Sequence, residues 1–294
     1  MSTKIEREYN AFGPWIIEFD EENLLPNLFI GFVDMNKKWD FLIKIPRIIE
    51  RRVAKPGMNL YDFVIGIREG KMYVYERNNN EISQEIVILK DVFSIKIFDS
   101  LLLGELSLQL SDSIFKLEFN MVSEEIILKM VALIRKCYLT DQKIELNSFV
   151  NEKEIEKLEF YYNTKWEHLK NEEENIRIVG IQETKELSYN DQKIYKKLYY
   201  RITKKNLLSC LYVSNEKEFI VIKKGGEYSK SSKNDYVEIL TFLPYFRIAD
   251  VTFEKSKYTS EVKKMILNVA NSKINFLFTK DNKYQKKIYN EFNL

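Results

Sequence analysis

Apolar and polar side chains alternate along much of this chain in short runs that turn residues separate. The alternation is clearest in two neighbouring runs, which are Leu106, Leu108, Leu110 and Phe115, Leu117, Phe119. A period of two places one set of side chains on each face of a strand. Other runs rich in β-branched and aromatic residues lie at 61–67, 72–75, 86–88, 92–98, 194–202, 207–213, 219–223, 237–243, 246–253, 262–269 and 274–278. The pattern predicts a mainly β protein.

Short turn signals join consecutive runs. Glu69-Gly70, Asn78-Asn79-Asn80 and Ser111-Asp112-Ser113 each leave room for a tight connection. Connections this short link antiparallel neighbours, so the strands should form meanders. We expect each meander to curl into a barrel or two orthogonal sheets, because curling protects the edge strands.

Helical spacing occurs in a few segments. Ser123 is a predicted N-cap, and apolar side chains recur at three- and four-residue intervals from 126 to 138. A second helical face runs through the charged segment 151–174, and Asp281 is predicted to cap a last helix over 284–292. Residues 24–32 also fit one helix face, while 262–269 fit a helix as well as a strand.

The order of these elements predicts two similar halves. We expect an N-terminal helical or extended segment over 1–59, a first domain over 60–139, a helical connector over 140–175 and a second domain over 176–294. Each domain would be a mainly β (α+β) unit closed by its C-terminal helix. The surface of Trp15, Phe19, Leu24 and Phe29 is expected to cover one sheet edge of the first domain.

This order resembles the pleckstrin-homology-like superfold, in particular the short bacterial PH-like domains, in two tandem copies. The first copy rests on Leu60 to Ile67, on Asp91-Val92 and on the strand pair and helix over 104–138. The second rests on Tyr200 to Lys205 and on Asp250-Val251 within 246–253. The resemblance implies a bacterial binding or scaffolding module, without naming a ligand, because one fold hosts many functions.

Charge divides the chain into unlike halves. Residues 1–169 carry 22 Lys and Arg against 28 Asp and Glu, whereas residues 170–294 carry 24 against 16. The first part is therefore acidic and the second basic, although the net charge is only +2. Such an asymmetry bears on association and not on fold: the basic half could face an anionic partner, or the bias could be plain solvated surface.

Basic side chains gather near the start of the second domain. Lys196, Lys197, Arg201, Lys204, Lys205, Lys223 and Lys224 form a candidate anion-binding surface. An anionic membrane surface or a nucleic acid could bind there, the latter with help from Tyr195, Tyr199 and Tyr200. An ordinary lysine-rich surface explains the same residues. The sequence pI of about 8.2 is below that of a dedicated nucleic-acid binder.

Residues for catalysis or cofactor binding are scarce. His168 is the single histidine and lies in the charged connector, where a solvated side chain is expected. Cys137 and Cys210 lack a CxxC partner, which favours buried thiols in a reducing compartment. The nine glycines form no phosphate-binding or nucleophile motif. We therefore expect neither an enzyme nor a cofactor nor a metal site, although a carboxylate pair could escape notice.

Together these patterns predict a cytoplasmic, non-catalytic protein that binds an unknown protein partner. No apolar run is long enough to span a membrane. Strand addition at an open sheet edge, or a groove beside a terminal helix, would serve such binding. Contact of the second domain with an anionic membrane or nucleic acid is the alternative, and an unknown enzyme is a further one.

Overall fold

The computed structural model describes residues 3–21, 23–140, 143–144, 150–187, 206–225, 228–229, 237–255, 261–269 and 271–292. Within these residues lie the helices α1 Lys4–Ala11, α2 Glu124–Tyr138, α3 Phe160–Glu172 and α4 Gln285–Glu291. The strands of the first half are β1 Ile17–Glu18, β2 Phe41–Pro46, β3 Tyr61–Arg68, β4 Lys71–Asn78, β5 Glu81–Ile88, β6 Ser94–Ser100, β7 Leu103–Gln109 and β8 Ile114–Asn120. Those of the second half are β9 Arg177–Gln182, β10 Lys185–Glu186, β11 Asn206–Leu207, β12 Cys210–Ser214, β13 Glu218–Lys224, β14 Tyr228–Ser229, β15 Val237–Pro244, β16 Ile248–Lys255, β17 Val262–Val269 and β18 Ser272–Thr279.

The first five strands form one antiparallel sheet in sequence order, β1-β2-β3-β4-β5. Two-residue turns join β3 to β4 and β4 to β5, as the tight connections predicted. In the first turn Glu69 and Gly70 both have positive φ, at 51° and 68°. Positive φ at both central residues matches the twist of the flanking strands, which explains the need for glycine.

The N-terminal segment packs on one face of this sheet. Phe12, Leu25, Phe29 and Val33 are buried in a core with side chains of β2, β3 and β4. Arg51 fastens the end of α1, because its guanidinium donates to the carbonyl oxygens of Tyr9 and Phe12. Phe29 and partly buried Phe19 pack into this core while Trp15 and Leu24 are exposed, so these four side chains do not form the expected cover over a sheet edge.

Helix α2 begins directly after a 3₁₀ turn at 121–123. Asn120 caps that turn by accepting from the Val122 N–H (3.1 Å). The predicted cap Ser123 instead accepts from the Ile16 N–H (2.7 Å), which ties the N-terminal segment to the helix. The predicted face is buried through Ile127, Met130, Val131, Ile134 and Tyr138.

The remaining strands form three sheets, one of which combines strands from both halves of the sequence. It has seven strands in the order β8-β7-β6-β15-β13-β12-β9. In its middle β6 pairs with β15, with Ile95 opposite Phe242 and Ser100 opposite Val237. The others are β10-β11-β14 and β16-β17-β18. The pairings of β10 with β11, β6 with β15 and β16 with β17 are antiparallel, like those of the first sheet, so the prediction of a mainly antiparallel β protein is confirmed.

Two compact units follow from this pairing. One comprises described residues as far as Val92 together with 102–106 and 117–138, and the other comprises 93–101, 107–116 and the described residues from Leu139 on. The expected boundaries at 60, 140 and 176 rest on local patterns alone and remain predictions. None of the four sheets of the described residues closes on itself as the expected barrels would.

The second unit has a core rich in aromatic rings. Tyr212 of β12 stacks on Phe278 of β18 at 4.7 Å between ring centroids, and Phe219 of β13 meets Phe292 at 4.9 Å. Helix α3 adds Tyr162, whose hydroxyl donates to the Ser209 carbonyl (2.7 Å). The connector face 155, 158, 162, 166 and 169 is buried, as its spacing predicted.

Three helix predictions need correction. Residues 24–32 contain only a 3₁₀ turn, Asn27–Phe29, which begins after the N-cap Pro26 and ends at Ile30, whose backbone is extended. Residues 262–269 are strand β17, so the helical alternative is wrong. Asp281 does not cap α4, whose N-cap is Tyr284, and Asn282 accepts the Tyr284 N–H (2.8 Å). Helix α1 was not predicted, since its residues are mostly polar.

Candidate functional site

Most of the predicted anion-binding surface lies outside the described residues. Lys196, Lys197, Arg201, Lys204 and Lys205 belong to that part, as does the strand expected over 194–202. Lys223 and Lys224 lie at the end of β13, where both are partly buried. The Lys224 ammonium pairs with Glu159, and its side chain is only 17% exposed. The described members therefore contribute little open positive charge.

The open edge of β5 is the strongest candidate site. Among the described residues, this eight-residue strand has one strand neighbour, β4, in the sheet order. Ile86 and Ile88 are 49% and 42% exposed there. Natural proteins protect long edge strands with Pro, charged side chains or bulges, and of these β5 has only the charged residues Glu81 and Glu85. A regular edge of this length with exposed isoleucines is typical of a strand-binding surface.

The register of β4 and β5 indicates which backbone groups face outward. The two-residue turn is closed by the opposite pair Asn78 and Glu81. Such a closing pair exchanges hydrogen bonds, and pairs alternate along an antiparallel ladder. Odd-numbered residues from Glu81 to Val87 therefore bond to β4. The N–H and C=O groups of Ile82, Gln84, Ile86 and Ile88 point away from the sheet.

Side chains divide the edge into two chemically different faces. The outward-bonding residues Ile82, Gln84, Ile86 and Ile88 share one face, next to the core that contains Tyr73 and Tyr75. The opposite face holds Glu81 and Glu85, with exposed Glu76 on β4 across from Ser83. One face of the edge thus carries three isoleucines and Gln84, and the other carries Glu81 and Glu85 before the buried Val87.

The edges at β16, β8 and β9 are less suited to pairing. Strand β16 has a register shift between Ile248 and Asp250, and such irregularities hinder the addition of a further strand. Strand β8 exposes Ile114 but places the charged side chains Lys116 and Glu118 after it along the same face. At β9, the Val150 N–H donates to the Ile178 carbonyl (2.6 Å), so that edge is already covered.

A buried lysine marks a second feature of the same unit. Lys44 of β2 is 1% exposed and lines a small cavity with Lys4, Arg7 and Glu8 of α1. Its ammonium donates to the Leu24 carbonyl (3.3 Å) and lies 4.8 Å from the ring centroid of Tyr61. Burial lowers the pKa of Lys44, and burial likewise raises the pKa of Glu8.

His168, Cys137 and Cys210 do not come together in a site. His168 lies on α3 with its side chain 58% exposed and its Nδ1 3.3 Å from the Glu172 carboxylate, as a solvated residue would. Cys210 is buried, which raises the pKa of its thiol to about 12, and burial also raises the pKa of Cys137. Among the residues that the structure describes, no His, Cys, Asp and Glu cluster could hold a metal ion.

Sequence reasoning identified residues 86–88 as strand without its position at the edge. Lys44 was missed for a different reason: a charged residue between Ile43 and Ile45 looks like the solvent-facing member of an alternating strand. Only the packing of the N-terminal segment buries it.

Within the described part of the chain, the search for a helix of sufficient length and apolarity to cross a membrane finds none. Comparison of the sequence with protein-family models gives no match, and comparison with curated proteins gives none either.

Proposed function

We propose that this chain is a non-catalytic binding or scaffold protein that captures an extended segment of a partner protein by strand addition at β5. The observation that supports this most directly is the eight-residue edge with Ile86 and Ile88 exposed beside outward backbone groups. Strand addition takes its affinity from main-chain hydrogen bonds and its specificity from alternate side chains.

The two faces of the edge define the partner segment. A strand laid beside β5 would place alternate side chains against Ile86 and Ile88 on one face and near Glu81 and Glu85 on the other. We therefore propose a segment that alternates apolar with basic residues. Pairing with a second copy of β5 is disfavoured, because it would bring the acidic faces of both strands together.

The size of the contact favours a reversible complex. Burial of the exposed parts of Ile86 and Ile88 would contribute about 1 kcal/mol each. The main-chain hydrogen bonds of the four outward residues add about 1 kcal/mol each before the entropy of ordering the segment is subtracted. A dissociation constant weaker than micromolar follows for an isolated segment, because the cost of association and ordering is subtracted from these contributions.

The finer fold and setting belong to the same proposal. We infer tandem PH-like domains from the order of strands before α2 and from the resemblance carried by 60–67 and 246–253. A bacterial source and a cytoplasmic location go with that inference. Lipid or nucleic-acid binding through the basic second half has no support from Lys224, whose charge is engaged by Glu159.

A peptide titration tests the proposal. The probe is a fluorescent peptide of about eight residues that alternates Val and Lys, matched to the length of β5. Its control alternates Val and Glu. We expect saturable binding of the Val/Lys peptide and at least about tenfold weaker binding of the control. Equal binding of both peptides, or of neither, would contradict the proposal.

A further inference from the structure

The chemical character of the β5 edge changes along its length. The first five residues of the strand include the exposed carboxylates of Glu81 and Glu85. Between these two lies Ser83, and the exposed Glu76 of β4 is its cross-strand partner. The last three residues of the strand, 86–88, are all aliphatic. The edge is therefore acidic where β5 begins and uncharged where it ends.

The burial of the surrounding side chains changes in the same direction. On the face that carries the glutamates, Val87 and its cross-strand neighbour Met72 are both buried. Leu89, which begins the 3₁₀ turn after β5, is buried as well. A side chain added beside Val87 would therefore lie next to apolar groups, whereas one added at the start of the strand would lie next to exposed carboxylates.

The direction of an added strand follows from the sheet that it joins. The pairings β1–β2, β2–β3, β3–β4 and β4–β5 are all antiparallel. Antiparallel ladders are slightly more stable per residue than parallel ladders, so a strand beside β5 gains most by running opposite to it. Its C-terminal half would then lie beside Glu81 and Glu85, and its N-terminal half beside residues 86–88.

We propose that the segment captured at β5 runs antiparallel to it and is apolar on both faces in its N-terminal half, while its C-terminal half alternates apolar residues with Lys or Arg. This inference rests on the proposed strand addition and adds to it the direction and the charge order of the partner. Basic side chains in the C-terminal half pair across the strands with Glu81 and Glu85, which stabilises the complex. In the N-terminal half they would lie beside the buried Val87, where a charge is costly.

Two capped peptides of identical composition and reversed order test this polarity. In Val-Thr-Val-Thr-Val-Lys-Val-Lys, both lysines lie beside the start of β5 only if the peptide runs antiparallel. In the reversed sequence they lie there only if the peptide runs parallel. Calorimetric titration at low ionic strength should show about fivefold tighter binding of the first peptide.

The outcomes separate the charge order from strand addition itself. Equal affinity of the two peptides, or tighter binding of the reversed one, overturns the inference while strand addition stands. Binding of neither peptide, together with failure of the Val/Lys peptide, overturns strand addition and the inference with it.

A nitroxide spin label at the C-terminus of the first peptide reports the direction without reference to affinity. A strand of eight residues is about 26 Å long, so the label lies much closer to one end of β5 than to the other. We expect broadening of the amide NMR signals of Glu81 and Ile82 and little effect on Ile88. Selective broadening of Ile88 would show a parallel strand and overturn the inference.

Variants of the chain connect the preference to the two carboxylates. Glu81→Gln combined with Glu85→Gln should remove the fivefold preference between the peptides, and both positions are exposed, so the fold should tolerate the change. Glu21→Gln combined with Glu125→Gln removes the same charge from exposed positions outside β5 and should leave the preference unchanged. A preference that persists in the first double variant overturns the assignment to Glu81 and Glu85.

Discussion

Ile86 and Tyr73 are direct cross-strand neighbours, yet Ile86 is 49% exposed while Tyr73 is 8% exposed. The same row continues through Gly66 of β3 to Leu42 of β2. The Trp39 ring lies over Gly66 and meets the Tyr73 ring edge to face, with 5.5 Å between the ring centroids. The row is therefore protected from solvent up to β4 and open at β5, which is the feature that strand addition would use.

Substitution of Ile86 by lysine should remove binding of the Val/Lys peptide with little loss of fold stability. The new ammonium would face the valine side chains of the peptide and remove an apolar contact. The matched control is Ile48→Lys, which changes the same residue type in the same unit at a position that is 85% exposed and not in a strand. We expect at least about tenfold weaker binding for Ile86→Lys and unchanged binding for the control. Equal loss in both variants would argue against the edge.

Substitution of Gly66 by alanine should destabilise the five-stranded sheet. A Cβ at this position would lie 2.5 Å from the Trp39 ring and 2.8 Å from a Leu42 methyl group. Overpacking of this kind costs about 1–3 kcal/mol. Gly57→Ala is an informative comparison, because Gly57 has open space around it but a φ of +86°, which leaves only backbone strain of about 1 kcal/mol. Urea unfolding followed by tryptophan fluorescence measures both, and a smaller loss in Gly66→Ala than in Gly57→Ala would contradict the packing of Trp39.

The strand pairings and buried side chains behind these predictions differ in how far the sequence alone predicts them. The β3, β4 and β5 strands follow from local alternation and from turns of two residues, so their existence and pairing are predictable. The pairing of β6 with β15 joins residues about 140 positions apart, and no local pattern encodes it. Leu24 and Trp15 look like core residues and are exposed, because the path of the N-terminal segment across the sheet decides which side chains face inward.

The edge position of β5 and the burial of Lys44 could not be predicted from the sequence, for related reasons. An edge is defined by the absence of a neighbour, which the sequence of β5 alone cannot express. Lys44 has the spacing of a solvent-facing strand residue, and it is buried only because α1 and residues 23–25 cover that face of β2. The burial of Ile127 to Tyr138 on α2, by contrast, follows from local spacing alone.

Stability should depend on the protonation of Glu8 in a defined direction. Its pKa is raised in the folded protein by burial, so the folded state holds this proton more tightly than the unfolded state. The contribution to stability is therefore complete below the unfolded pKa of about 4.5 and is lost as pH rises through the folded pKa. Replacement by Gln should flatten the pH dependence of the urea midpoint above about pH 4.5, whereas Glu21→Gln at an exposed position should leave the wild-type slope. A slope unchanged in Glu8→Gln would contradict the burial of this carboxylate.

Cys210 should resist alkylation until the second unit unfolds. The side chain is buried in β12, and the pKa of its thiol is raised to about 12 by burial, so little thiolate exists at neutral pH. In a Cys137→Ser background, iodoacetamide labelling should rise in parallel with unfolding in urea. Rapid labelling of the native protein would show that β12 is not covered as described.

Hydrogen exchange of the β5 amides measured by NMR tests the central claim most directly. In the free protein, the amides of Ile82, Gln84, Ile86 and Ile88 should exchange faster than those of Glu81, Ser83, Glu85 and Val87, because the register directs only the second set to β4. Addition of the Val/Lys peptide should slow exchange of the first set by about tenfold or more and leave the second set nearly unchanged. Peptide binding without new protection of those four amides would contradict strand addition at β5.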